Sequence, residues 1–302
     1  MSVATRIVGF ALALVAVFGA AALAGTKLDP SVDEKVDAHG EDAEEMDGHE
    51  TPAATGAALP GLAVAQDGYR LIPERTELDR GGAGRYRFRI VDAANETVSD
   101  FDVEHERRMH LIVVRRDFAN FQHLHPRQLA DGSWEVEANL DEAGVYRVFA
   151  DFATGGQSLT LATDLLVAGR FQPHPLPAPR TTDAAGDGYE VTIESAEPTG
   201  GTATPVQFSV SRDGRPLDGV EPYLGADGHL VALREHDQAF LHTHPEGKPG
   251  GPGPISFQVE YPTPGRYRLF LQFKDRGEVR TAAFTQQLDG SPSAGEAEHV
   301  DH

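Results

Sequence analysis

Apolar and polar residues alternate with period two in several short runs: Tyr86-Arg-Phe-Arg-Ile90, Trp134-Glu-Val-Glu-Ala138, Tyr146-Arg-Val-Phe-Ala150 and Ser256-Phe-Gln-Val-Glu260. Such alternation marks strands with one face in a core. Turn-forming residues separate the runs, at Arg80-Gly-Gly82, Asp131-Gly132, Asp213-Gly214 and Pro264-Gly265. Many short strands at this spacing predict β-sandwiches. No helical period appears after residue 25. Before it, an uncharged apolar run from Ile7 to Ala24 follows Arg6 and predicts a helix close to membrane-spanning length. Ala22-Leu23-Ala24 fits the small-x-small pattern of a cleavage site, so a signal peptide and an uncleaved membrane anchor both fit. Either places the remainder outside the cytoplasm.

The strand pattern occurs twice. Met109-His110-Leu-Ile-Val-Val followed by Phe121-Gln-His123-Leu-His125-Pro126 matches Gly228-His229-Leu-Val-Ala-Leu followed by Phe240-Leu-His242-Thr-His244-Pro245. Both obey His-x12-His-x-His-Pro, offset by 119 residues. Tyr69 to Phe88 corresponds to Tyr189 to Phe208, and Gly144-Val-Tyr-Arg-Val-Phe-Ala-Asp-Phe152 to Gly265-Arg-Tyr-Arg-Leu-Phe-Leu-Gln-Phe273. A repeat of this length is a duplicated domain, not a solenoid. The expected organisation is all-β: two tandem immunoglobulin-like β-sandwich domains after an N-terminal apolar helix and a disordered acidic linker. The segments are 1–25 signal or anchor, 26–65 linker, 66–168 first repeat, 169–187 linker, 188–288 second repeat and 289–302 acidic tail.

The chain has 302 residues and a net charge of −21, which excludes the basic footprint of a nucleic-acid binder. Asp29–Glu50 holds ten acids and one Lys, and carries too little apolar surface to fold. There is no cysteine, so disulfides, thiolate metal sites and thiol nucleophiles are excluded.

The histidines are the candidate chemistry. If the loop between the two strands is centred between Arg116 and Asp117, His110 stands opposite His123, with His125 on the same face. The same register in the second repeat, centred between Glu235 and His236, joins His229, His242 and His244. Neutral imidazoles suit copper, zinc, nickel and iron, and without a thiolate a His-only set favours Cu(II) or Zn(II). Copper stands ahead of zinc. The competing expectation is a structural one, in which the histidines brace the hairpin and the following Pro ends the strand. His105 and His236 have no counterpart in the other repeat and read as surface residues. His174 falls in the interdomain linker. His39, Met46, His49, His299 and His302 lie in acidic flanks that could collect metal loosely.

Met109-His-Leu-Ile-Val-Val-Arg-Arg-Asp-Phe-Ala-Asn-Phe-Gln-His-Leu-His-Pro126 resembles a segment of bacterial exported proteins with small immunoglobulin-like domains, of the YtkA-like or CopC-like kind. The resemblance covers about 60 residues of each repeat. It implies export and a role in copper or heavy-metal handling. CopC-like proteins begin their mature chain with a ligating His that this chain lacks, so the resemblance bears on fold and location more than on a defined site. No catalytic signature is present: there is no nucleophile elbow, dinucleotide-binding turn, P-loop or His-Glu-x-x-His helix. The expected protein is an exported, non-enzymatic metal buffer or chaperone with one three-His site per repeat. The alternative is an extracytoplasmic structural or interaction protein with an unidentified protein partner.

Overall fold

The computed structural model describes residues 59–81, 83–195 and 203–289. The apolar run Ile7–Ala24, most of the acidic linker and all of the 289–302 tail except Asp289 lie outside them. The described residues are all-β, without a helix, and each repeat is a sandwich of two sheets. In the first repeat one sheet runs Ala65–Gln66, Tyr69–Pro73, Ala83–Val91, Trp134–Asn139, Arg127–Gln128. The other runs Glu77–Leu78, Gln157–Val167, Gly144–Thr154, His110–Arg115, Gln122–Leu124. The second repeat pairs Thr182–Ala184, Tyr189–Ser195, Ala203–Arg212, Ile255–Glu260 and Thr243–Glu246 in one sheet. Its other sheet holds Phe240–Leu241, Gly228–Arg234, Gly265–Asp275 and Glu278–Leu288.

Between the sheets of each repeat lies a core of alternate strand residues. Leu111, Val113, Trp134, Tyr146 and Val148 belong to the first, and Leu230, Ala232, Phe257, Tyr267 and Leu269 to the second. The opposite faces of the same strands are also buried. Every residue of His110–Arg115 is buried, which explains why that strand reads as an unbroken apolar run rather than an alternation. The second face packs against the other repeat. Ile112, Val114, Phe149 and Ala162 of the first repeat form a third apolar cluster with Val231, Leu233, Phe240 and Phe270 of the second.

The contacts across this seam are reciprocal. Phe121 stacks on Phe270 with ring centroids 4.0 Å apart, and Phe240, the counterpart of Phe121, meets Phe149, the counterpart of Phe270, at 5.5 Å. Reciprocity of this kind defines an isologous interface, here formed inside one chain.

Two expected linkers prove ordered in part. Pro60 and Gly61, assigned above to the acidic linker, lie in the seam. The Gly61 amide donates to Thr160 of the first repeat, and the Pro60 carbonyl accepts from the Phe240 amide of the second. Arg147 donates to the carbonyls of Gly61 and Leu62, at 2.9 and 2.8 Å. In the interdomain segment the Gln172 carbonyl accepts from Arg115, the His174 amide donates to Asp117, and Thr182–Ala184 is already a strand of the second repeat. Backbone groups bonded into a fold in this way behave as part of it, whatever their composition.

Gly61 has φ +71°, and a Cβ there would stand 2.8 Å from the Phe149 ring and 2.9 Å from Phe240 Cβ. Gly61→Ala therefore combines a left-handed backbone penalty with overpacking at the seam. It is expected to lower stability by ~1–3 kcal/mol in urea unfolding. An unchanged midpoint would show that Gly61 is not wedged there.

Candidate functional site

The strand order places both repeats' first histidines on the seam face. His110 shares that face with Ile112 and Val114, and His229 shares it with Val231 and Leu233. The two imidazoles stack, 5.4 Å apart and 9° from parallel. His123 joins them, 5.2 Å from His110 and 4.6 Å from His229 between ring centroids, and His125 lies 5.2 Å from His110 and 4.8 Å from His123.

The hairpin register differs from expectation. Leu111 pairs with Leu124, Ile112 with His123 and Val113 with Gln122. The loop centre lies one residue further along, between Asp117 and Phe118. Asp117 accepts from the Arg115 guanidinium and the Ala119 amide, and Phe118 and Asn120 take left-handed φ, which lengthens the loop. His123 is thus diagonal to His110 rather than opposite it. The shift preserves strand parity, so the histidines keep their common face.

The second repeat does not form the expected set of His229, His242 and His244. Its strand leaves the seam sheet after Leu241, and Thr243–Glu246 pairs in the other sheet, His244 against Gln258. The first repeat makes the same crossing later, after Leu124, with Arg127–Gln128 in its other sheet. Where the first repeat has Leu124 in the ladder opposite Leu111, the second has Thr243, whose hydroxyl donates to the Leu230 carbonyl at 2.7 Å. The side chain satisfies that carbonyl in place of a continuing strand. His242 and His244 are exposed and stack loosely on each other, 6.5 Å apart. Among the described residues, one group of three ligand-type side chains converges: His110, His123 and His229, each offering a nitrogen within 4.8 Å of the others. The expectation of one triad per repeat gives way to a single cluster shared by both.

Three further residues at the cluster escaped the sequence reading. His105, read as a surface residue, is exposed but packs its ring 6.1 Å from His110 and 5.7 Å from His229. Asp151 pairs with His110 across adjacent strands, and Gln272, its counterpart, pairs with His229. Gln272 Oε1 accepts from His123 Nδ1 at 2.8 Å, which bonds one repeat to the other, and its amide nitrogen donates to Thr281. Asp151 accepts from Thr160 at 2.7 Å. Each is the polar position in an otherwise apolar stretch, Phe149-Ala-Asp-Phe152 and Phe270-Leu-Gln-Phe273, and that was the available signal.

These features define a tandem duplicate of an immunoglobulin-like sandwich with one histidine cluster at the join. A family model described as "Domain of unknown function (DUF8832)" matches residues 63–169 and 182–290, and the chain belongs to that family in two copies. No curated protein matches the chain. Similar solved structures include the Escherichia coli adhesin FdeC, at 15% identity over 76% of this chain and 66% of that one, TM-score 0.26. The Yersinia pseudotuberculosis adhesin InvE is 12% identical over 72% and 58%, TM-score 0.23. A putative membrane anchored protein from Corynebacterium diphtheriae is 9% identical over 76% and 60%, TM-score 0.23. The chain spans less than two thirds of the length of each.

Burial governs the electrostatics of the cluster. Loss of water pushes the His123 imidazole down to about 3 and the His125 imidazole down to about 4. His110 and His229 are lowered for the same reason, with neighbouring imidazoles adding to the effect on His229. Burial pushes the Asp151 carboxyl up. Near neutral pH the imidazoles are therefore uncharged. The unfolded chain protonates His123 near its ordinary value of 6.5, so between that value and about 3 the unfolded state binds more protons. The corresponding stability is present above 6.5 and is lost as pH falls toward 3. Asp151, whose carboxyl is raised, works in the opposite sense. The metal-free protein is expected to lose melting temperature from pH 7.5 to pH 5, and His123→Gln to flatten that dependence. Equal slopes in the two proteins would contradict a buried neutral His123.

Proposed function

We propose that this chain is a non-enzymatic, extracytoplasmic interaction protein in which two sandwich repeats are fused into one body and histidines brace the join. The reciprocal seam carries the reading. With Phe121 on Phe270 and Phe149 against Phe240, the loops and sheet edges of both repeats hold a fixed spacing toward a protein partner. Rigid presentation of this kind lowers the entropic cost of engaging a partner at two points.

The histidines fit the bracing role directly. His110 Nε2 donates to the Glu104 carbonyl and holds the loop at Glu104–Arg107, while His123 ties the hairpin to Gln272 across the seam. Further cross-seam bonds run from Gln238 to the Arg115 carbonyl and from Arg116 to the Asp237 carbonyl, at 3.0 and 3.4 Å. Export is supported by Arg6 and the apolar run that follows it. The resemblance of residues 109–126 to YtkA-like and CopC-like domains agrees with an exported sandwich. It also agrees with a transition metal among the same histidines, copper ahead of zinc.

Two measurements test the reading. In calorimetry the full chain is expected to unfold in one transition, and Phe149→Ala/Phe270→Ala to separate it into two. Two transitions in the unaltered protein would contradict a fused body. Protease added to cells stripped of their outer envelope is expected to cleave the chain while a cytoplasmic marker survives, whereas protection until the cytoplasmic membrane is broken would contradict the location.

A further inference from the structure

We propose that His110, His123 and His229 form one interdomain site for a divalent first-row transition metal ion, with the unpartnered His125 beside it, so that a single ion pins the two repeats together. The site goes beyond the bracing role, which needs no ion.

The hydrogen bonds fix where the nitrogen lone pairs point. A carbonyl only accepts, so His110 Nε2, 3.2 Å from the Glu104 oxygen, carries a proton. With the Gln272 amide turned so that Oε1 faces His123, the proton of His123 is on Nδ1. In neutral rings that leaves His110 Nδ1 and His123 Nε2 as lone pairs, and these two atoms stand 3.0 Å apart. Two acceptors at hydrogen-bond distance repel unless a cation lies between them. A proton could fill that role only by charging one of the two imidazoles. A metal ion fills it while leaving both imidazoles neutral, held by their lone pairs. Ligand bonds of ~2.0–2.1 Å in a tetrahedral site set neighbouring nitrogens roughly 3.3 Å apart, close to the spacing observed.

Two observations add to the site independently. His229, from the other repeat, offers a nitrogen within 4.8 Å of a nitrogen of each of these two residues. His125 Nε2 is buried and has no hydrogen-bond partner, although buried polar atoms rarely go unpaired. Outside the donors stand two carbonyl acceptors. Gln272 Oε1 holds His123 Nδ1, and the Glu104 carbonyl holds His110 Nε2, an arrangement common around metal-bound imidazoles. The donors are nitrogens without thiolates, which favours Cu(II) and Zn(II) and disfavours Mg(II) and Ca(II).

The test uses the full chain purified without a histidine tag and titrated separately with Zn(II), Cu(II) and Mg(II) against a competing chelator. One tight Zn(II) or Cu(II) ion per chain is expected, with no tight Mg(II). His123→Gln and His229→Gln, which keep a polar side chain and are verified as folded by circular dichroism, are expected to lose more than the ~10–100-fold that follows loss of an outer partner. His244→Ala is expected to bind as the unaltered chain does. The ion is expected to raise the melting temperature of the unaltered chain and not that of His229→Gln. Nitrogen-15 spectra of the metal-free chain are expected to show protons on His110 Nε2 and His123 Nδ1. Two tight ions per chain, affinity untouched by His229→Gln, or a proton on His123 Nε2 would each overturn the site. The single calorimetric transition of the metal-free protein would survive those results, so failure of the site and failure of the fused body are separable.

Discussion

The rest of the structure depends on two sheets, one from each repeat, that bury both of their faces. A sandwich sheet ordinarily packs one face inward and leaves the other to solvent. Here the outer faces of the sheets built on His110–Arg115 and Gly228–Arg234 meet in an apolar seam. Every feature of interest follows from that contact. It explains the unbroken apolar strand, the ordering of Pro60 and Gly61, and the burial of imidazoles that in a lone domain would face water.

Duplication produced an interface that is symmetric in outline and asymmetric in detail. The aromatic contacts exchange faithfully between repeats, Phe121 with Phe270 and Phe240 with Phe149. The polar ones have diverged. Gln272 takes the place of Asp151, giving one repeat a neutral acceptor for His123 and the other a carboxylate bonded to Thr160. Thr243 takes the place of Leu124 and bonds the Leu230 carbonyl through its side chain, and the second hairpin passes into the other sheet earlier than the first, with His242 and His244 exposed. One cluster survives where strict symmetry would have given two.

Much of the fold was legible because period-two alternation and glycine turns are local signals. Trp134–Asn139 and Ile255–Glu260 are strands where the pattern places them, and the duplication was visible in the histidine spacing. The site was legible only in part. Its residue types and common face followed from strand parity, which a two-position error in register leaves intact. Its membership did not follow, because nothing local says that His229 will cross to the other repeat or that Thr243 will cap a carbonyl. The apolar run after His110 held that information in general form: a strand with no polar face has two buried ones. His105 could not be found by repeat logic, since Leu224 stands at the equivalent place.

The central claim is that the two repeats pack on each other through this seam. A double-mutant cycle on Phe121→Ala and Phe270→Ala, measured by denaturant unfolding, tests it most directly, because the two rings touch only if the repeats do. The stacked pair is expected to show a coupling of about 0.5–1.5 kcal/mol. Strictly additive single changes would contradict the packing and, with it, the shared histidine cluster.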